Sequence, residues 1–221
     1  MATYLITGSN RGIGLEYCRQ LKMRGDDVIA VCRSASDELQ ALNVQIETDI
    51  DITSEASVSQ LVKNLGNRTI DVLINNAGIL ERITLDNLDF ESIRQQFEVN
   101  ALGPLRLTQA LLPHLKSGSK VVIMTSRMGS IEDNTSGGSY GYRMSKVALS
   151  MAGKSLSHDL KPRQISVAIL HPGLVKTRMT GFTDSGITPE ESVKGLLDRI
   201  DELNLENTGT FWHSNGEILP W

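Results

Sequence analysis

Proton transfer needs a donor tuned by a neighbouring charge, and Tyr142 and Lys146 have the spacing to supply both. They open a helical run, Tyr142-Arg143-Met144-Ser145-Lys146-Val147-Ala148-Leu149. Residues four apart on a helix lie one above the other on the same face. A nearby cation favours the charged form of its neighbour, so the pair predicts a phenol pulled down from its reference pKa of about 10. Such a phenol can give and take protons, as general acid–base catalysis requires. Alone the pair is a weak signal, because many solvated helices carry a Tyr and a Lys four apart by chance.

A second chemical feature sits at the start of the chain. Ala2–Thr7 is a short β-rich run, and Gly8-Ser9-Asn10-Arg11-Gly12-Ile13-Gly14 follows it into an amphipathic helix. Glycines let a backbone approach an anion closely, and a helix N-terminus offers free N–H groups and the positive end of a dipole. The spacing is G-x-x-x-G-x-G, not the commoner G-x-G-x-x-G. Three glycines between a strand and a helix favour a phosphate site over a turn that merely needs positive φ. The next strand, Asp27–Cys32, ends at Arg33. In dinucleotide folds a carboxylate near this point holds a ribose 2′-hydroxyl, whereas arginine suits a 2′-phosphate. Arg33, Arg11 and the lack of a carboxylate there point to NADP(H).

The elements that must position these residues alternate along the chain. Helix Ser36–Leu42 precedes strand Val44–Thr48, and helix Ser54–Leu65, with Ser54 as N-cap, precedes strand Asp71–Asn75. A helical tract from about Asp89 to Leu115 contains Asn100 and leads to strand Lys120–Thr125, which ends at Ser126. The Tyr142 helix runs to about Leu160. Strand Gln164–Leu170 then ends at His171-Pro172-Gly173, and helix Pro189–Leu203 and a strand near Thr210–Trp212 close the series. Alternation of this kind gives a parallel sheet covered on both faces. Ligands in such a sheet sit beyond the carboxyl ends of the strands, where Gly8, Arg33, Asp51, Asn75, Ser126 and Pro172 all fall. No linker or repeat divides residues 1–221, so a single α/β domain is expected.

Composition narrows the partners. A formal charge of −4 and a pI near 5.6 leave no basic excess for nucleic acid. No stretch reaches the about 20 apolar residues of a membrane span, and no signal peptide is recognisable. Cys18 and Cys32, with no C-x-x-C and no Cys/His cluster, fit free thiols in a reducing, cytoplasmic setting and imply no metal site.

Together, Thr7-Gly8-x-x-x-Gly12-x-Gly14, Asn75-Asn76-Ala77-Gly78, Asn100, Ser126, Tyr142-x-x-x-Lys146 and Pro172-Gly173 resemble the short-chain dehydrogenase/reductase family over essentially the whole chain. Within it, "FEVNALGPLRLTQALLP", "SRMGSI" and "GEILPW" resemble the carbonyl-reductase and C-factor branch. The resemblance implies a doubly wound, Rossmann-type parallel sheet of about seven strands in the order 3-2-1-4-5-6-7, and an NADP-dependent reductase of small or medium aldehydes and ketones, as a homodimer or homotetramer. By the same resemblance, the pyrophosphate would lie over Gly8, Ser9, Asn10, Arg11, Gly12, Ile13 and Gly14, and the 2′-phosphate against Arg33 and Arg11. Asp51 with the Ile52 backbone would hold the adenine, Asp49 being close enough to compete. Asn75, Asn76, Ala77 and Gly78 would support the central strand and the adenine ribose. Lys146 would bind the nicotinamide ribose and lower the Tyr142 pKa; Tyr142 would protonate the substrate oxygen, and Ser126 would hydrogen-bond it. Asn100 would hold a water linking Lys146 to solvent, and Pro172, Gly173, Val175 and Thr177 would fix the carboxamide. An alternative from another class is an NADP(H)-binding signalling or redox-sensing protein that needs no turnover.

Three local features depart from the common pattern. The loop Ile131–Ser139 is longer than in many members. Arg127 replaces a small residue and either reaches toward the substrate mouth or pairs with Glu132 or Asp133. The segment Thr177–Pro189, with two glycines and several small polar residues, reads as a mobile loop rather than a packed lid, which implies broad specificity. His114, His158 and His213 have no partner spacing and read as surface or core, and His171 as held by its backbone.

Overall fold

The structure is a computed structural model that describes residues 1–221. In chain order, β1 (Thr3–Thr7), α1 (Gly12–Arg24), β2 (Asp27–Val31), α2 (Asp37–Gln40), β3 (Gln45–Glu47), α3 (Glu55–Leu65) and β4 (Ile70–Asn75) form the first half. The second half is α4 (Phe90–Phe97), α5 (Gly103–Leu111), β5 (Leu115–Met124), α6 (Tyr140–Leu160), β6 (Ser166–His171), α7 (Pro189–Glu202) and β7 (Phe211–His213). All seven strands join one parallel sheet in the order β3-β2-β1-β4-β5-β6-β7, the order the resemblance implies. The order reverses between β1 and β4, which opens a crevice at the strand ends.

Strand side chains alternate between faces, and that period divides the core in two. Leu5, Leu73, Ile123, Val167 and Phe211 face α3, α5 and α6, whereas Tyr4, Ile74, Met124, Leu170 and Trp212 face α1 and α7. Thus β5 and β6 deliver residues after Met124 and Leu170 alternately to the α6 face and to the α7 face. Caps fix the helix starts: Ser54 Oγ accepts from Ser57 N, and Thr188 and Glu191 form a capping box at α7.

Several boundaries differ from expectation. The tract expected as one helix over Asp89–Leu115 contains a π turn at Glu98–Leu102, where Gly103 N donates to Glu98 O, between α4 and α5. Pro113 lies in the 3₁₀ turn Leu112–His114 that ends it, and β5 therefore begins at Leu115 rather than Lys120. The helix and strand expected at Ser36–Leu42 and Val44–Thr48 shorten to four and three residues, since β3 is an edge strand with one partner.

Candidate active site

The glycine turn is held in place before any ligand is considered. Thr7 Oγ1 accepts from the N–H groups of Asn76 and Ala77, both at 3.1 Å, and Asn76 Nδ2 donates to Thr7 O at 2.9 Å. The sequence assigns Thr7 no role beyond its place in the motif; together Thr7 and Asn76 clamp the end of β4 to the end of β1. Gly8 has φ +67, and a Cβ there would lie 2.8 Å from Ala77 Cα, so only glycine permits this approach. A Cβ on Gly14 would collide with the Gly8 carbonyl. Ser9 Oγ donates to Val31 O at 3.0 Å, so its side chain secures the turn to β2 instead of facing a ligand.

What remains free at this turn suits an anion. Helix α1 has no side-chain N-cap and no acidic residue in its first turn, which leaves its leading N–H groups unclaimed. Arg11, in extended backbone, and Arg33 are exposed, and neither guanidinium forms an ion pair or hydrogen bond. Asn10 and Ile13 are half-buried beside them. Asp51 folds back on Thr53, accepting from its N–H at 2.9 Å and its hydroxyl at 2.8 Å, which with Arg33 and Arg106 holds its carboxyl below the usual range. The Ile52 carbonyl accepts from Arg106, and its side chain packs against Gly103. Asp49, at φ +59, accepts from the Thr48 hydroxyl at its carboxylate and from Ser57 Oγ at its carbonyl. Asn75 points away from the crevice: Nδ2 donates to Thr108 Oγ1 at 3.1 Å and Oδ1 is buried without a partner. On the far wall, Val175 is buried and Thr177 Cγ2 lies 3.5 Å from where a Gly12 Cβ would sit, so the two sides of the crevice meet there.

The other end of the crevice is buried. Tyr142 is 8% exposed, Lys146 4% and Asn100 0%. Lys146 Nζ donates to Met124 O at 2.8 Å and lies 5.7 Å from the Tyr142 ring centre. Gly78 sits between them and Asn100; a Cβ there would be 3.2 Å from Asn100 Oδ1 and 3.6 Å from Lys146 Nζ. Asn100 Oδ1 accepts from Ile79 N, and Nδ2 donates to Ile79 O and Ser145 Oγ. Both hydrogens of that amide are therefore engaged, and Oδ1 holds one bond. Ser126 Oγ accepts from Met128 N at 3.1 Å, which leaves its own hydrogen to donate.

Burial overrides the charge effect expected from the Tyr142–Lys146 spacing. Desolvation pushes the Tyr142 phenol up to about 12, with Ser126 opposing the rise by hydrogen bonding, and pushes Lys146 down to about 8.

Arg127 pairs with Asp133 at 2.6 Å and with Glu217 at 2.9 Å, not with Glu132 and not toward a substrate. Arg143 holds the long loop, donating to Gly137 O, Gly138 O, Met128 O and Ser136 Oγ. The segment after Thr177 is more structured than expected. Thr177 and Thr180 cap a 3₁₀ turn, and Lys176 N to Ile187 O and Ile187 N to Leu174 O tie its two ends together. Phe182 and Met179 remain exposed on it. His171 and His213 meet edge to face at 4.9 Å, an arrangement unforeseen because strand register creates it.

Comparison with known proteins places this geometry. A family model described as short chain dehydrogenase matches residues 2–187. The chain belongs to the short-chain dehydrogenase family. It is an oxidoreductase of that family, similar over its full length, and the full length of the relative, to 1-hydroxy-2-glutathionyl-2-methyl-3-butene dehydrogenase from Rhodococcus sp. (strain AD45), at 43% identity. It is 47% identical to C-signal of Myxococcus xanthus over 69% of this chain and 93% of that protein. Among solved structures, NADPH-bound carbonyl reductase from chicken fatty liver superposes with a TM-score of 0.90 at 30% identity, covering 100% of this chain and 99% of that one. Carbonyl reductase Sniffer of D. melanogaster gives 0.93 at 31% identity, with both chains fully covered. No helix of this short-chain dehydrogenase is long and apolar enough to cross a membrane.

Proposed function

We propose that this protein is an NADP-dependent reductase of small or medium aldehydes and ketones. The observation that carries the reading is the convergence of Ser126, Tyr142 and Lys146 beside an uncapped, arginine-flanked helix N-terminus in one crevice. The free N–H groups of α1 suit a pyrophosphate, and Arg33 and Arg11 suit a 2′-phosphate. The chicken carbonyl reductase to which the chain is similar has NADPH bound, which supports the reading. When bound, the cofactor supplies or accepts the hydride; the remaining work belongs to the side chains.

Ser126 donates its hydroxyl hydrogen to the substrate oxygen, since its lone pairs already accept from Met128 N. Tyr142, protonated throughout the neutral range, delivers a proton to that oxygen. Lys146 turns from Met124 O toward the ribose hydroxyls while remaining next to the phenol. Asn100 fixes the π turn, whose displaced main-chain groups hold the water that reprotonates the lysine. The exposed Leu102 at the end of the π turn, Leu105 on α5, and Met144 and Met151 on α6 support self-association as a homodimer or homotetramer.

A second reading, binding of NADP(H) for signalling without turnover, draws on the similarity to C-signal. Binding alone needs neither the Ser126 hydroxyl nor the Tyr142 phenol. The test is NADPH oxidation followed against aldehydes, ketones, quinones and diones. Turnover of at least one class is expected; tight NADPH binding with no turnover across the whole panel would favour the second reading.

A further inference from the structure

At the carboxyl ends of β6 and β7, beside Gly173, stands a polar group that neither the catalytic set nor the phosphate cradle uses. His213 ends β7, paired in register with His171 at the end of β6, so its ring stands beside Pro172-Gly173 on the face that α6 covers. The backbone N–H of Asn215 donates to His213 Nδ1 at 3.1 Å. A backbone N–H can only donate, so Nδ1 must be the acceptor nitrogen and the neutral ring carries its hydrogen on Nε2. That edge of the ring faces Gly173. A Cβ on Gly173 would lie 3.3 Å from His213 Cε1, 3.5 Å from His213 Nε2 and 3.1 Å from Ile187 Cδ1. Nε2–H has no protein acceptor, although Nδ1 has two neighbours, Asn215 N and Ser214 Oγ.

The surroundings hold this donor neutral and fixed. His171 backs the ring edge to face, and Arg127 stands on one side with its charge already divided between Asp133 and Glu217. Burial lowers the His213 pKa, the nearby Glu217 carboxylate opposing and Arg127 reinforcing that shift. A half-buried, neutral N–H next to Ile187 offers one directional hydrogen bond beside an apolar side chain.

Resting on the reductase reading above, we propose that His213 Nε2–H is a specificity-determining donor that selects carbonyl substrates carrying a second hydrogen-bond acceptor. A substrate lacking that acceptor leaves the N–H facing hydrocarbon, which costs more than the bond itself gains. The same N–H could instead serve the carboxamide of the cofactor, and the experiment separates the two.

Benzaldehyde and the three pyridine carboxaldehydes share one shape, and only the latter carry an acceptor on the ring. The ratio of kcat/KM for each pyridine isomer to that for benzaldehyde is measured with NADPH for the wild type and for His213→Phe, which keeps an aromatic ring against His171. For at least one isomer the ratio should fall roughly two- to tenfold in the variant, carried by KM, the range one neutral hydrogen bond spans. His213→Gln, which retains an N–H donor, should restore part of it. If His213→Phe fails to fold, His213→Asn, whose amide is too short to reach over Gly173, serves the same comparison. Unchanged ratios for all three isomers would overturn the inference, and so would a tenfold rise in the NADPH dissociation constant, which assigns the donor to the cofactor. If the wild type reduces neither benzaldehyde nor any pyridine isomer, the reductase reading fails for this substrate shape and the inference falls with it.

Discussion

The two ends of the crevice solve opposite problems. At the glycine turn the polar groups stand open: the α1 N–H groups are uncapped, and Arg11 and Arg33 are exposed with no partner. At the α6 end nearly every polar atom is buried and already bonded, with Lys146 on Met124 O, Asn100 on Ile79 and Ser145, and Ser126 on Met128 N. An open set of donors can take up a charged ligand from water without first breaking internal bonds. A buried, bonded set costs stability to assemble but needs little rearrangement when chemistry begins. The contrast teaches that affinity and proton transfer should be separable by mutation.

The sharpest blow to the binding end is Gly14→Ala. Its methyl group would strike the Gly8 carbonyl and lie 2.7 Å from Asn76 Nδ2, breaking the clamp between β1 and β4. Overpacking of this kind costs about 3 kcal/mol or more where backbone must shift, so NADPH affinity should fall roughly 100-fold. Titration of NADPH into the variant checks this, with circular dichroism to follow the fold. Arg33→Asp should be milder and selective. A charge-assisted bond contributes about 1.5–3 kcal/mol, so preference for NADPH over NADH should shrink by about 10- to 100-fold. Equal cofactor affinities in the wild type would remove the basis for this claim.

The smallest expected effect is on the pH profile and concerns the chemical end. Lys146 sits at about 8, and its ammonium form is the one that serves the ribose and the phenol. Because the ammonium is lost as pH rises through that value, kcat/KM for reduction should fall about fourfold between pH 7 and 8.5. Tyr142, at about 12, stays protonated over that span and adds no second inflection. A profile flat to pH 10 would show that Lys146 keeps its charge in the loaded protein.

The strand ends were legible in the sequence because the chain signals them locally. Gly8, Arg33, Asn75, Ser126 and Pro172 each follow an apolar β-rich run, and a parallel sheet brings all such ends together. Ser54 and Pro189 likewise mark helix starts through local capping chemistry. The π turn at Asn100 was hidden, because one added residue per turn scarcely alters hydrophobic period. The raised Tyr142 pKa was hidden for another reason: burial is a tertiary property that four-residue spacing does not report. Arg127 finds Glu217, and His213 finds His171, only through the pairing of β6 with β7 and the return of the last residues along β7. The orientation of Asn75 toward Thr108 similarly depends on which face of β4 meets α5.

The separation of binding from proton transfer is tested most directly by one paired measurement on Tyr142→Phe. NADPH dissociation constant and kcat for an aldehyde that the wild type reduces are determined on the same preparation. Loss of the phenol oxygen removes the proton donor but touches none of the α1 N–H groups or the two arginines. The account predicts a dissociation constant within about threefold of wild type and a kcat reduced by about 10²–10⁴, the range for removal of a general acid. A variant that keeps more than about a tenth of the wild-type kcat, or one whose NADPH affinity collapses together with its rate, would contradict it.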